Sequence, residues 1–388
     1  MTSEAAMLAI TTRIPDEGVS IKVTGSRGRG RDFYSLRDGS VQVQSADMPI
    51  YPGTNCCQTR SPEAIPIRSA RVVWRGNCGP EIKAPVHMGR AEQGDDGTTM
   101  TELRYLAPNS LDEAIKAFAA AGSAGRILAG GTDLLVQMRA GVLKPGVIVD
   151  IKKIAEMTAI EETADGGFRI GAAVSGMALY DHAKFGKVWP GVLEAVNLIG
   201  SKQVQGRASA GGNLCNGSPA GDSVPAMVAA GAIVTVQGPN GRRQMPVEQV
   251  PTGPGRTSLT PGEILVSFTL PPRPKGSSDA YLRMIPRTEM DIAVVGLGVS
   301  LTLKDGVCTA ARVGLGAVAP TVLLVEAAAK ALIGSKLDDA ALNAAAAACS
   351  AACRPIDDKR GTIAYRTKVA GVLLKRTTAI AAKRAKGN

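Results

Sequence analysis

The chain has 388 residues, of which 45% are apolar and 20% charged, with a formal net charge of +11. Such a composition is globular, is long enough for two or three domains, and excludes an intrinsically disordered chain. No apolar run approaches the roughly eighteen residues of a membrane span, and residues 1–30 lack the basic start and apolar stretch of a secretory leader, so the expected compartment is the cytoplasm.

The excess charge belongs to the body of the chain. Residues 1–99 hold 12 basic and 11 acidic residues, and the remainder 33 and 23. The basic residues are scattered, and five Phe and two Trp offer few stacking platforms, so a nucleic-acid role is not indicated. The seven cysteines contain no C-x-x-C pair, and only His87 and His182 are available. Neither a zinc site nor a four-thiolate iron–sulfur cluster is expected from this chain alone. If the protein moves electrons, it needs an organic cofactor or a partner's metal.

In chain order, residues 1–99 come first and read as a poorly ordered N-terminal extension. Ten of their twelve basic residues are Arg, and stretches such as Gly25–Arg31 and Tyr51–Cys57 show neither helical nor strand periodicity. Translated upstream sequence from a mis-assigned start and an unusual N-terminal domain are the two alternatives. Regular patterning begins at Met100. Ser110 and Glu113 form a capping box for a helix whose face is Leu111, Ala114, Ile115 and Phe118, ended by Gly122. A short strand at 126–129 runs into Gly130-Gly131-Thr132, followed by a helical stretch from Asp133 to Ala140. Strands are predicted at 147–151 and 168–172, and helices at 176–187 and 190–199.

A second glycine-rich segment, Ala208-Ser209-Ala210-Gly211-Gly212-Asn213-Leu214-Cys215-Asn216, precedes Asp222 and a predicted helix to Ala230. The proline cluster at 271–274 marks a domain joint. Beyond it, strands are predicted near 280–285, 292–303 and 307–316, with Asp305-Gly306 as a hairpin turn. Helices near 321–333, 338–353 and 358–382 complete the chain. Helices and strands mix without a strict βαβ rhythm, which indicates an α+β fold.

The two glycine segments are the candidate site. Paired glycines at a strand end let the backbone approach an anion and aim consecutive N–H groups at it, helped by the dipole of the next helix. Thr132 adds a hydroxyl donor, and Ser209 and Asn213 do the same for the second segment. Two such segments about eighty residues apart suit a diphosphate gripped from two sides, with Asp222 accepting from sugar or ribityl hydroxyls. The plainer reading makes the glycines tight turns and Asp222 an N-cap. Neither segment is a G-x-G-x-x-G fingerprint, so a Rossmann site is not indicated.

Three strings carry a resemblance: Ala129-Gly-Gly-Thr-Asp-Leu-Leu, Arg207-Ala-Ser-Ala-Gly-Gly-Asn-Leu-Cys-Asn, and Tyr281-Leu-Arg-Met-Ile-Pro-Arg-Thr-Glu-Met-Asp291-Ile-Ala. Together with Thr257–Leu265 and Asp358–Arg366, they resemble the FAD-binding medium subunit of molybdenum hydroxylases, such as carbon monoxide dehydrogenase, and the flavin domain of xanthine dehydrogenase. The resemblance runs from Met100 to about Lys386. It implies a two-lobed FAD domain of the vanillyl-alcohol-oxidase type over 100–272, with lobes at about 100–155 and 156–272. A smaller α+β domain over 278–386, a three-stranded antiparallel sheet with helices, would follow.

By the same resemblance, Ile127, Leu128, Ala129, Gly130, Gly131, Thr132, Asp133 and Leu134 cradle the FAD pyrophosphate. Ser209, Ala210, Gly211, Gly212 and Asn213 hold it from the other lobe, and Asp222 contacts FAD hydroxyls. Ile199, Leu265 and Arg283 fall at further FAD-contacting positions, and Tyr281 is an aromatic candidate near the isoalloxazine. Ala210 is smaller than the Ile or Leu usual in the family, and Arg283 replaces the Lys of the xanthine dehydrogenase branch, keeping charge but not geometry.

The implied function is electron transfer. No residue here need act as catalytic acid, base or nucleophile, because the flavin carries the chemistry. Molybdopterin and [2Fe–2S] clusters are expected only in a large and a small partner subunit, in a heterohexamer of two copies of each chain. The alternatives are a stand-alone FAD-dependent oxidase or dehydrogenase with its own substrate pocket, and a regulatory protein that has lost FAD. Arg287 and Asp291 read as an internal ion pair, and the alanine-rich stretch 340–352 as a close-packing helix, at an interface in one reading.

Overall fold

The computed structural model describes residues 103–387 apart from Glu289, together with four backbone strands between residues 8 and 45. The chain divides into two units, Met1–Asp95 and Asp96–Asn388. In the first, Leu8–Arg13, Ser20–Ser26, Arg31–Arg37 and Ser40–Ser45 form an antiparallel sheet in chain order. The extension expected over residues 1–99 otherwise lies outside the described residues.

The second unit opens with a small parallel sheet. Strands β1 (Arg104–Leu106) and β2 (Gly125–Leu128) both pair in parallel with β3 (Val147–Asp150), which lies between them. Two crossovers build this sheet, through α1 (Leu111–Ala121) and the shorter α2 (Leu134–Arg139). A local βαβ rhythm is therefore present, which the sequence alone did not reveal because β1 and β2 are only three and four residues long. The α1 cap works as expected on one side only. Ser110 accepts from the Glu113 N–H at 3.3 Å, but the Glu113 carboxylate accepts from the N–H of Asn109 instead of Ser110.

The second lobe is a five-stranded antiparallel sheet. Its order is Gly241–Pro246, Ile233–Gly238, Ile264–Leu270, Phe168–Gly171 and Ile160–Glu162. Phe168, Ile170, Val234, Val236, Val266 and Phe268 are buried in its core. The helix predicted over 176–187 is broken into Gly176–Asp181 and Phe185–Val188. The break falls at His182, whose Nδ1 accepts from the N–H of Phe185, the first residue of the second piece, at 3.1 Å. The second glycine segment is not a loop. Ala210–Cys215 is a short helix with Ser209 at its N-cap.

The C-terminal domain has the three expected long strands, β4 (Ser277–Met284), β5 (Val295–Lys304) and β6 (Val307–Gly316). A two-residue fourth strand, Leu323–Leu324, adds to the edge beside β6. Three helices follow: Glu326–Leu332, Asp339–Ala352 and Ile363–Ala385. The sheet has two different faces, as period-2 alternation requires. Ala280, Leu297, Val299, Val313 and Leu315 point into this domain's own core, whereas Tyr281 belongs to the core of the FAD-type lobes.

Glycines make that second face possible. Gly298 faces Gly314 and Gly296 faces Gly316 across the β5–β6 pair. The helix Ser223–Ala230 lies directly on them: a Cβ at Gly314 would stand 2.1 Å from the Pro225 carbonyl oxygen, and one at Gly298 would stand 2.7 Å from the same atom. The helix is buried along its whole length, so it cannot retreat toward solvent. We expect Gly314→Val to destabilise the protein by about 1–3 kcal/mol or more, the usual cost of overpacking. Thermal unfolding of the purified variant checks this, with Thr309→Val at the exposed end of the same strand as control.

Candidate functional site

The first glycine segment leaves the carboxyl end of β2, where open parallel sheets place their ligand crevices. Gly131 has φ +77°, a conformation that L-residues rarely adopt. Gly130 is needed for a different reason: a Cβ there would stand 2.0 Å from the Arg207 carbonyl oxygen. The two glycine segments are therefore in backbone contact. Their link is reinforced by Gln137 Nε2, which donates to Asn216 Oδ1 at 3.2 Å. Among the described residues, the N–H groups of Gly130, Gly131, Thr132 and Asp133 meet no acceptor, and neither does the Thr132 hydroxyl.

Residues that the sequence reading passed over hold this segment in place. Lys152 Nζ donates to the Ala129 carbonyl at 2.8 Å and to Asp150 Oδ1 at 2.7 Å, and Tyr105 donates its hydroxyl to Asp150 Oδ2 at 2.5 Å. The Lys152 and Tyr105 bonds draw the Asp150 carboxyl below its ordinary range although burial opposes them. Ile127 and Leu128 are half-buried in β2, and Leu134 opens α2.

The second segment is organised by its short helix. Ser209 is buried and accepts from the Gly212 N–H at 3.1 Å, leaving its own proton to donate. Gly211 lies against the turn that follows the strand Phe168–Gly171, where a Cβ would stand 2.3 Å from the Ala172 carbonyl oxygen. Asn213 is turned inward. Its Oδ1 accepts from both the N–H of Ser223 (3.2 Å) and the Ser223 hydroxyl (2.8 Å), so only its NH₂ remains to donate elsewhere.

Asp222 does not cap its helix. Its backbone is already helical and its carboxylate makes no capping bond. The carboxylate crosses instead to the C-terminal domain, where Arg283 Nη1 reaches Oδ2 at 2.8 Å and the Tyr281 hydroxyl donates to Oδ1 at 3.3 Å. Tyr281 is buried, and its hydroxyl end fills the space above Gly296. Burial pushes the Asp222 carboxyl up to about 6, against the pull of the Arg283 guanidinium. Burial beside that carboxylate likewise lifts the Tyr281 phenol well above its ordinary range.

The same strand extends the contact between domains. Asp279 stands two residues before Tyr281 on the same face; it meets Arg273 at 2.8 Å and accepts from the Val192 N–H at 3.0 Å, at the start of the helix Pro190–Val196. Arg273 in turn stacks over Trp189, 3.8 Å from the ring centre. Glu194 accepts from the Tyr281 N–H at 3.1 Å and is ion-paired with Arg384. Asp279 was not singled out from the sequence; the alternation Asp279, Tyr281, Arg283 along one strand is the local signal that could have found it. Leu265 is buried in the second lobe's core opposite Val236, and Ile199 is half-buried, its carbonyl accepting from Gln205 Nε2 at 3.4 Å.

Comparison with known proteins matches residues 100–273 to the FAD binding domain in molybdopterin dehydrogenase and residues 280–381 to the CO dehydrogenase flavoprotein C-terminal domain. The carbon monoxide dehydrogenase medium chain of Afipia carboxidovorans is 34% identical over 282 residues, which are 73% of this chain and 97% of that protein. The chain belongs to the family of FAD-binding medium subunits of molybdenum hydroxylases. The xanthine dehydrogenase FAD-binding subunit of Escherichia coli O157:H7 is 34% identical over 197 residues, covering 50% of this chain and 68% of that one. A solved Cu,Mo-CO dehydrogenase superposes with a TM-score of 0.71 at 34% identity, over 73% of this chain and 98% of its own. Quinoline 2-oxidoreductase from Pseudomonas putida 86 superposes with a TM-score of 0.68 at 26% identity, with the same coverage.

The residues present suit the dinucleotide that this family carries. The unaccepted N–H groups at 130–133 and the free Thr132 hydroxyl are donors for phosphate oxygens. The close approach at Gly130 leaves no room for any side chain between the two segments.

A pH dependence follows from Asp222. A carboxyl whose folded value is raised contributes stability that is complete below its unfolded value and is lost as pH rises through the folded one. Relative to Asp222→Asn, the wild type should therefore lose stability between pH 4 and pH 7, by about 3 kcal/mol, and then level off. Denaturant unfolding of both proteins across that range checks the sign, and a wild type that gains stability over Asp222→Asn as pH rises would contradict it.

Proposed function

We propose that this chain is the FAD-carrying electron-transfer subunit of a cytoplasmic molybdenum hydroxylase, working beside a large molybdopterin subunit and a small [2Fe–2S] subunit, two copies of each. The observation that carries this reading is the backbone contact between the two glycine segments at the end of a parallel strand, with four consecutive N–H groups unclaimed beside it.

Bound there, FAD would supply a centre able to take electrons from a one-electron donor and pass them to an external acceptor. The chain's own residues bind and orient. The N–H groups of 130–133 and the Thr132 hydroxyl donate to the pyrophosphate, and Ser209 and the Asn213 NH₂ donate from the opposite lobe. Asp222, fixed by Arg283 and Tyr281, presents a carboxylate to ribityl or ribose hydroxyls. Lys152 holds the Ala129 carbonyl, which keeps the first segment from collapsing into the crevice. No residue is assigned a catalytic proton transfer.

Two measurements test this. The tagged protein, purified gently from its native host, should show flavin absorbance together with [2Fe–2S] absorbance from co-purifying partners. A flavin spectrum alone would favour a stand-alone oxidase, and a colourless protein would sink both readings. Separately, Gly131→Asp and Gly212→Asp should each abolish flavin retention, because both add bulk and negative charge where phosphate is bound. Full flavin content in both variants would overturn the site assignment.

A further inference from the structure

The two long C-terminal helices create a surface that the cofactor does not explain. Helices Asp339–Ala352 and Ile363–Ala385 cross closely: a Cβ at Gly371 would stand only 3.2 Å from the Ala346 carbonyl oxygen and from Ser350 Oγ. Their outer side forms a cleft of about 460 Å³, lined by Ala346, Ala347, Ser350, Gly371 and Val372 and rimmed by Lys368, Lys375 and Arg376. The floor is small and apolar, with Ala347 and Val372 exposed.

The charge on this surface is one-sided. The terminal helix carries six basic residues and no acidic one. Arg366 and Arg384 are already paired, with Asp358 and Glu194. Lys375 reaches only the neutral Asn343, and Lys368 and Arg376 have no acidic partner among the described residues. No carboxylate lines the cleft. An apolar trough flanked by unneutralised cations is complementary to a chain segment with the opposite pattern, and like-charged surfaces would be repelled from it.

We propose that this cleft seats an acidic segment of a partner subunit, which lays an apolar side chain on the Ala346–Gly371–Val372 floor and sets carboxylates against Lys368, Lys375 and Arg376. The proposal rests on the multi-subunit reading above and adds to it a place of attachment on the C-terminal domain. Small residues give the floor its depth, since any larger side chain at 346, 347 or 371 would fill the trough. Cationic rims of this kind speed and orient docking, and their contribution falls as salt screens it.

The test uses the full-length tagged protein purified with its partners from the native host. The variant Lys368→Glu/Lys375→Glu/Arg376→Glu changes only exposed residues. It should keep its full flavin content and lose at least tenfold of its co-purifying partner chains, and the wild-type complex should come apart at lower affinity as KCl is raised. A variant that retains its partners up to the same KCl concentration as wild type overturns the cleft while leaving the electron-transfer reading intact. Wild-type protein that brings no partner chains overturns both, and the absence of [2Fe–2S] absorbance identifies that case. Independently of the charge reversal, a benzophenone side chain at position 372 in otherwise wild-type protein should cross-link to a carboxylate-rich peptide of a partner chain. A cross-link to this chain itself, or to a second copy, overturns the proposal.

Discussion

The close approach of one helix to one glycine face organises this protein. Because Gly298 and Gly314 present bare backbone, the helix Ser223–Ala230 lies flat on the C-terminal sheet. The residue just before that helix is Asp222, which is thereby brought to Arg283 and Tyr281 on the neighbouring strand. A side chain at either glycine would lift the helix and pull the carboxylate away from its partners. The packing is thus upstream of the electrostatics: a buried ion pair repays its desolvation only where geometry is good, and the glycines supply that geometry.

The same strand that meets Asp222 also tethers the rest of the boundary. Its alternation gives one face to the C-terminal core, through Ala280, Leu282 and Met284, and the other to the FAD-type lobes, through Asp279, Tyr281 and Arg283. The three outward residues meet two elements: Asp279 meets the start of the helix Pro190–Val196, and Tyr281 and Arg283 both meet Asp222. Arg384, near the end of the chain, closes the set through Glu194. The C-terminal domain therefore holds Asp222, a residue of the candidate site, through Arg283 and Tyr281.

The two segments of the candidate site were legible in local sequence. Gly130-Gly131-Thr132 and Ser209–Asn213 stood out as two glycine pairs beside hydroxyl and amide donors, although either alone reads equally as a tight turn. Two features escaped the sequence for a physical reason. Of the two roles open to Asp222, a helix cap or a partner for ligand hydroxyls, the structure removes the cap, and the partner that holds the carboxylate, Arg283, lies 61 residues away in sequence. Ser209–Cys215 looked like a loop because glycines lower helix propensity. Burial against Ala172 and the Ser209 cap override that preference.

The sequence by itself determined the C-terminal strand hairpin, the helices after it, the capped helix at 111–121 and the chemistry of the donors, since periodicity and glycine placement are local properties; the strands Ile233–Gly238, Gly241–Pro246 and Ile264–Leu270 were not read from it. Tertiary structure alone decided that the two glycine segments touch, that Lys152 and Tyr105 brace the first of them, and that the C-terminal sheet turns its Asp279–Tyr281–Arg283 face toward the FAD-type lobes. Those are contacts between residues tens of positions apart. Whether a glycine serves a turn or an interface depends on what lies 2 to 3 Å from the place its Cβ would take, and no local pattern in the chain records that neighbour.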